Sequence, residues 1–157
     1  MKTIAKNEIF DEQTTAKIVD ALQPSLYDLL ALGLITKQAH WNVTGPHFRS
    51  LHLHLDEIWD GVQEAVDTVA ERIRVFDVSP SGQAKEISEN AELSQIPLGT
   101  LRDAQVIDLM TERLTITSRN IRERLEKIED IDTVTADILH GILEVIEKHL
   151  WMMRSQM

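Results

Sequence analysis

The chain has no cysteine, which excludes disulfide bridges and cysteine-ligated zinc. Aromatic residues make up only 4% of its 157 residues, against 43% hydrophobic residues, so a core must be packed from Ala, Leu, Ile and Val. That length sets a single domain, 1–157, with enough residues to bury a real core. Apolar runs are short and interrupted by polar residues, and the chain opens with no basic-then-apolar leader. The expectation is no membrane span and a cytoplasmic location, which leaves the Asn42-Val43-Thr44 sequon unmodified because glycosylation requires secretion. Positive charge is scarce as well. Sixteen Lys and Arg face 26 Asp and Glu, for a formal net charge of −10. DNA binding is driven mainly by Lys and Arg neutralising phosphates, so weak or absent DNA binding is expected. An acidic excess suits the attraction of cations instead.

No stretch carries a strand signal, and no internal repeat or low-complexity segment stands out. What the chain has is helical periodicity. Residues 1–10, with Lys2 and Lys6, read as a short mobile arm. Ile18, Leu22, Leu26, Leu29, Leu30 and Leu34 then recur at three- and four-residue spacing, predicting a helix from Thr14 to Ala39, kinked at Pro24. Gly33 offers a place for close helix packing. Gly45-Pro46 marks a turn, and a second helix runs from Phe48 to about Phe76, closed by Ser79-Pro80-Ser81-Gly82. A connection from Val78 to Thr100 is too long for a simple turn, and its centre, Ala84 to Leu93, reads as a short helix. Thr100 to Ile128 makes the third helix, and Thr133 or Asp132 can cap the fourth, with Val145 among the apolar positions of its broad face. Four long helices and one short one predict an all-α four-helix bundle.

The stretch His40 to Arg72 organises the chemistry. On a helix from Phe48, His52 and Asp56 lie one turn apart on a single face, and so do Asp67 and Glu71. The pairs share a stripe, but Asp56 and Asp67 stand roughly 16 Å apart along the axis. Metal bonds to N and O ligands are about 2 Å, so one ion cannot reach both pairs within one chain. A second copy crossing antiparallel near Gly61 and Val62 sets His52 opposite Glu71 and Asp56 opposite Asp67, the self-complementarity that two-fold symmetry requires. The same register brings Asp60 toward Gln63 of the other copy. The bland alternative is an acidic, solvated helix face.

The run Lys37-Gln38-Ala39-His40-Trp41-Asn42-Val43, followed by Gly45-Pro46, Phe48, His52, Asp56, Asp67, Glu71 and Arg72, resembles the signature of the Dps proteins, the miniferritins or DNA-binding proteins from starved cells. The similarity continues through ADIL at 136–139 and HLWMM at 149–153. The resemblance implies a ferritin-like fold, with a small helix in the long crossover between helices two and three, and a hollow homo-dodecamer built from two-fold dimers. It implies ferroxidase activity, the oxidation of Fe²⁺ to Fe³⁺ by hydrogen peroxide or oxygen, preferably peroxide. The ferric product would be stored inside, limiting oxidative damage to the cell and its DNA. Iron would be held at an inter-subunit site by His40, His52 and Asp56 of one subunit with Asp67 and Glu71 of its mate. Trp41 would lie near the iron and take up an oxidising equivalent. The acids Glu126, Glu129, Asp130, Asp132 and Asp137 would surround three-fold pores that admit iron.

Other readings are weaker. No Glu has a His three residues on, so the intrabundle di-iron pattern is missing, and Asp137-x-x-His140 is single. His40, His52 and Asp56 also fit a two-His-one-carboxylate oxygenase triad, but no cup-like fold accompanies them. His47 sits in the turn nearest the site and could take a peripheral ion, while His54, His140 and His149 read as ordinary histidines and Trp151 as structural. Two alternatives of other classes are a nucleoid protein that coats DNA, with the nucleoid as its location, and an inactive scaffold.

Overall fold

The protein, seen here in a computed structural model, is described from residue 9 to residue 157. The expected arm therefore lies outside the described residues except at its end, where the Phe10 ring meets that of Phe76 with centroids 6.2 Å apart. Helix α1 spans Glu12–Asn42, with the Asp11 carboxylate accepting from Thr14 N at 2.8 Å as its N-cap. It runs through Pro24 without a break in helical assignment. By length and apolar composition α1 could cross a membrane, yet 67% of its apolar window is buried inside the bundle, the condition of a core helix.

Helix α2, Phe48–Val75, returns along α1, and Asp77 ends it with φ 59°. The two helices approach closely at Gly33, where a Cβ would meet Gln63 Nε2 at 3.0 Å and the Trp59 ring at 3.3 Å. Gln63 thus packs over α1 of its own chain, while Asp60 is exposed. The crossover carries the short helix α3, Ala84–Asn90, which rests on α1 through buried Ile87. Gln23 clasps the start of this crossover, with its amide donating to Ser81 O and accepting from Ser81 N, both at 2.9 Å. Helices α4, Asp103–Leu125, and α5, Thr133–Arg154, form the second hairpin. Packing of α1 on α4 and of α2 on α5 closes the four-helix bundle.

Two departures from the sequence expectation stand at the α4 end. Val43–Thr44 (β1) and Leu101–Arg102 (β2) pair as a minimal parallel bridge, so α4 begins at Asp103 rather than near Thr100. Because α2 follows β1 and α4 follows β2, this pairing starts the two helices from the same end of the bundle and in the same direction, after a crossover that has traversed the bundle. The bridge is locked by Asp103, which accepts from both the backbone N and the Nδ1–H of His47 at 3.0 Å. These bonds, the backbone one foremost, hold the Asp103 carboxyl below its ordinary range. Gly45 is required here, with φ 132° and the Asp103 carboxylate 2.6 to 2.7 Å from where a Cβ would sit.

The core is aliphatic, led by Ile18, Leu22, Leu26, Leu29, Leu32 and Ile35 of α1 with Leu51, Leu55, Ile58 and Ile73 of α2. Burying one such side chain contributes about 1.5–3 kcal/mol. Leu34 and Val145, expected on buried faces, are exposed because their helices turn them outward.

Candidate metal site

The last turn of α1 and the second turn of α2 bring His40, His52 and Asp56 together. One ligand atom from each lies within 4.8 Å of the others. His40 is only 8% exposed, and its ring stacks on that of His52 with centroids 3.7 Å apart. The two histidines lock each other. His40 Nδ1 meets His52 O at 2.9 Å, and His52 Nδ1 meets His40 O at 3.0 Å. A carbonyl oxygen only accepts, so each ring carries its proton on Nδ1 and keeps the Nε2 lone pair. Fixing the tautomer through one ring nitrogen readies the other as a metal ligand.

Asp56 completes the cluster with its side chain 41% exposed. Its Oδ1 lies 3.4 Å from His40 Nδ1 and accepts from Lys37 Nζ at 2.5 Å. The bond from Lys37 lowers the Asp56 pKa most; partial burial opposes this, and the neighbouring histidines and the Lys37 charge add to the lowering. The Lys37 ammonium also lies 5.3 Å from the Trp59 ring centroid. A cationic group thus already neutralises the carboxylate of the cluster. Lys37, one turn before His40, is a site residue to which sequence reasoning gave no role. Its signal was helical spacing: it stands three residues before His40, as Asp56 stands four after His52.

The remaining expected ligands are placed elsewhere on the chain. Asp67 and Glu71 are exposed on α2, outside the His40 cluster. Arg72, next in the motif, is committed to structure: it donates to Asp132 Oδ2 at 2.7 Å and to Thr135 Oγ1 at 2.9 Å. Trp41 is 70% exposed and lines a hollow with Leu34, Lys37, Trp59, Ile96 and Leu98. Leu98 there is 88% exposed.

Of the five pore candidates, Glu126, Glu129, Asp130 and Asp137 are exposed around the α4–α5 turn, and Glu129 meets His140 at 3.3 Å. Asp132 corrects the expectation. It is buried, caps α5 through Val134 N at 3.2 Å, and bonds Arg72 and Thr135. Burial alone would raise its pKa, but the bonds from Thr135 and Arg72 and the Arg72 charge hold it below the usual carboxylate range. A carboxylate so engaged is not free to attract ions.

Residues 19–157 match the ferritin family, described as a ferritin-like domain. Bundle, crossover helix and His/Asp cluster together are those of a ferritin-like protein. The chain is 40% identical over 139 residues to DNA protection during starvation protein 2 of Deinococcus radiodurans, a match covering 88% of this chain and 58% of that protein's length. The crystal structure of Dps92 from Deinococcus radiodurans superposes with a TM-score of 0.89 at 39% identity, covering 91% of this chain and 87% of that one. Dps of Mycobacterium smegmatis, in its tetragonal form, superposes with a TM-score of 0.92 at 27% identity, covering 98% and 93%. The chain belongs to the Dps family.

Proposed function

We propose that this protein is a ferroxidase that binds Fe²⁺ between subunits, oxidises it and stores the ferric product in a hollow dodecamer. The observation that carries this reading is the reciprocal His40–His52 lock, which commits Nδ1 of each ring to a carbonyl and leaves each Nε2 uncommitted in a cluster with Asp56. Two imidazoles and a carboxylate suit Fe²⁺ as substrate, and additional carboxylates favour Fe³⁺ once formed. Asp67 and Glu71 of the partner subunit would supply them. Support for a partner comes from the apolar rim beside the cluster, where Leu34, Trp41 and Leu98 are exposed. In the two-fold register, Asp60 would approach Gln63 of the partner subunit, and Trp41 would be covered close to the iron.

Each of two Fe²⁺ ions gives one electron to peroxide, whose O–O bond breaks. With two waters the products are two ferric oxyhydroxide units and four protons. Peroxide and Fe²⁺ are consumed together, so hydroxyl radical is not released and DNA in the cytoplasm is protected by the same chemistry. The exposed acids Glu126, Glu129, Asp130 and Asp137 would draw Fe²⁺ toward the pores. Stopped-flow oxidation of Fe²⁺ by the purified assembly tests the reading. Rapid oxidation with peroxide, slower with oxygen, is the expected result; rates equal to those in protein-free buffer with both oxidants would sink it.

A nucleoid-coating role is the second reading, favoured by the words "DNA protection" in the name of the Deinococcus relative. A net charge of −10 per chain opposes it. Gel retardation at about 150 mM salt, where the screening length is near 8 Å, separates the two readings.

A further inference from the structure

We propose that His54 and His149 form a second divalent-metal site, of the class that takes zinc, at the seam between α2 and α5. His52 and His54 are two residues apart, roughly 200° around the helix. The same turn of α2 therefore offers one histidine to α1 and the other to α5. His54 Nε2 and His149 Nδ1 face each other at 3.2 Å. A metal bonded to two imidazole nitrogens at about 2.0–2.1 Å, with angles from right to tetrahedral, holds them roughly 2.8–3.4 Å apart. The pair already has the bite of a chelate.

The surroundings supply the rest. Gln156 Nε2 donates to His54 Nδ1 at 3.4 Å, so the proton shared by the pair sits on His54 Nε2 and points at His149 Nδ1. Metal binding needs both facing lone pairs. The proton moves to His54 Nδ1, and the Gln156 amide turns to accept it through Oε1, so no proton leaves the pair. Glu57, three residues after His54, places a negative charge that acts on both rings. Lys148 adds an opposing positive charge on His149 alone. Gly61 leaves room beside His149, whose Nε2 lies 3.9 Å from where a Cβ would be. Two imidazoles at a partly buried seam favour Zn²⁺, Co²⁺ or Ni²⁺ over Mg²⁺ or Ca²⁺.

Zn²⁺ titration calorimetry on the intact assembly tests this, in a His52→Ala background that disables the His40 cluster. The expected result is one Zn²⁺ bound per chain, with affinity falling at least about tenfold on adding His54→Gln or His149→Gln. Should either variant fail to assemble, the exposed Gln156→Ala in the same background is expected to weaken binding several-fold. Zn²⁺ is also expected to raise the melting temperature of His52→Ala and not of His52→Ala/His149→Gln. The proposal is overturned if the His52→Ala assembly binds no zinc, or binds it equally well without His149.

Discussion

Asp28 and Asp56 are both carboxylates set beside a basic side chain, and the fold treats them in opposite ways. Asp28 is 0% exposed, and both of its oxygens are engaged. Oδ1 accepts from Glu92 N at 2.8 Å, while Oδ2 accepts from Arg124 at 2.7 Å and Asn120 at 3.1 Å. Arg124 reaches on to Glu92 Oε1 at 2.8 Å, and Arg113 holds Ser94 O at 2.7 Å and Gln95 O at 3.1 Å. These bonds fasten the crossover to α1 and α4. Asp56 instead relies on a single lysine, at the rim of an exposed face, beside two histidines whose Nδ1 atoms are bonded and whose Nε2 lone pairs are left over. Saturated polar groups hold a fold together, whereas spare lone pairs converging from rigid helices mark a place for an ion.

The largest effect expected from this contrast follows Asp28→Ala. It leaves the buried Arg124 guanidinium with only the exposed Glu92 carboxylate, and breaking one partner of a buried pair costs about 3–5 kcal/mol. Chemical denaturation should show that loss, while Fe²⁺ oxidation per folded chain stays unchanged. A loss of oxidation at full foldedness would merge the two regions into one functional unit.

Lys37→Met probes the other side at smaller scale. Without the ammonium, Asp56 loses its competing cation, so anaerobic Fe²⁺ titration should show several-fold tighter binding, with little change in stability. Weaker binding would mean that Lys37 positions Asp56 rather than competing for it.

The smallest effect is in acid. Asp132 and Glu147 both have folded pKa values below their ordinary 3.8 and 4.5, Glu147 chiefly through its bond from Arg122. Such groups contribute stability that is present above the ordinary carboxylate values and lost as pH falls through the folded ones. Arg72→Met removes part of the lowering at Asp132, so its acid-unfolding midpoint, followed by circular dichroism, should move to higher pH. An unmoved midpoint would show that the Arg72–Asp132 pair contributes nothing to the acid limb.

The helices were legible in the sequence because their apolar positions recur with the helical period, and α2, Phe48–Val75, ends within one residue of the expected Phe76. His40, His52 and Asp56 were legible because one falls at the end of one helix and two fall a turn apart at the start of the next. What periodicity does not encode is how helices rotate against each other. Asp132 read both as a cap of the last helix, which it is, and as a pore acid, which it is not, since its partner Arg72 is 60 residues away. His54 and His149 are 95 residues apart, and no local pattern joins them. The β1–β2 bridge was invisible because two residues are too few to alternate.

The central claim is that one chain's His40, His52 and Asp56 make an oxidation site only with Asp67 and Glu71 of the partner subunit. Diffraction from crystals of the assembly soaked anaerobically in Fe²⁺, with anomalous data at the iron edge, tests it most directly. The account predicts iron between the two half-sites, with ligands from both chains at roughly 2.0–2.2 Å. Iron bound by a single chain, or Asp67 and Glu71 facing solvent away from any His40 cluster, would contradict it.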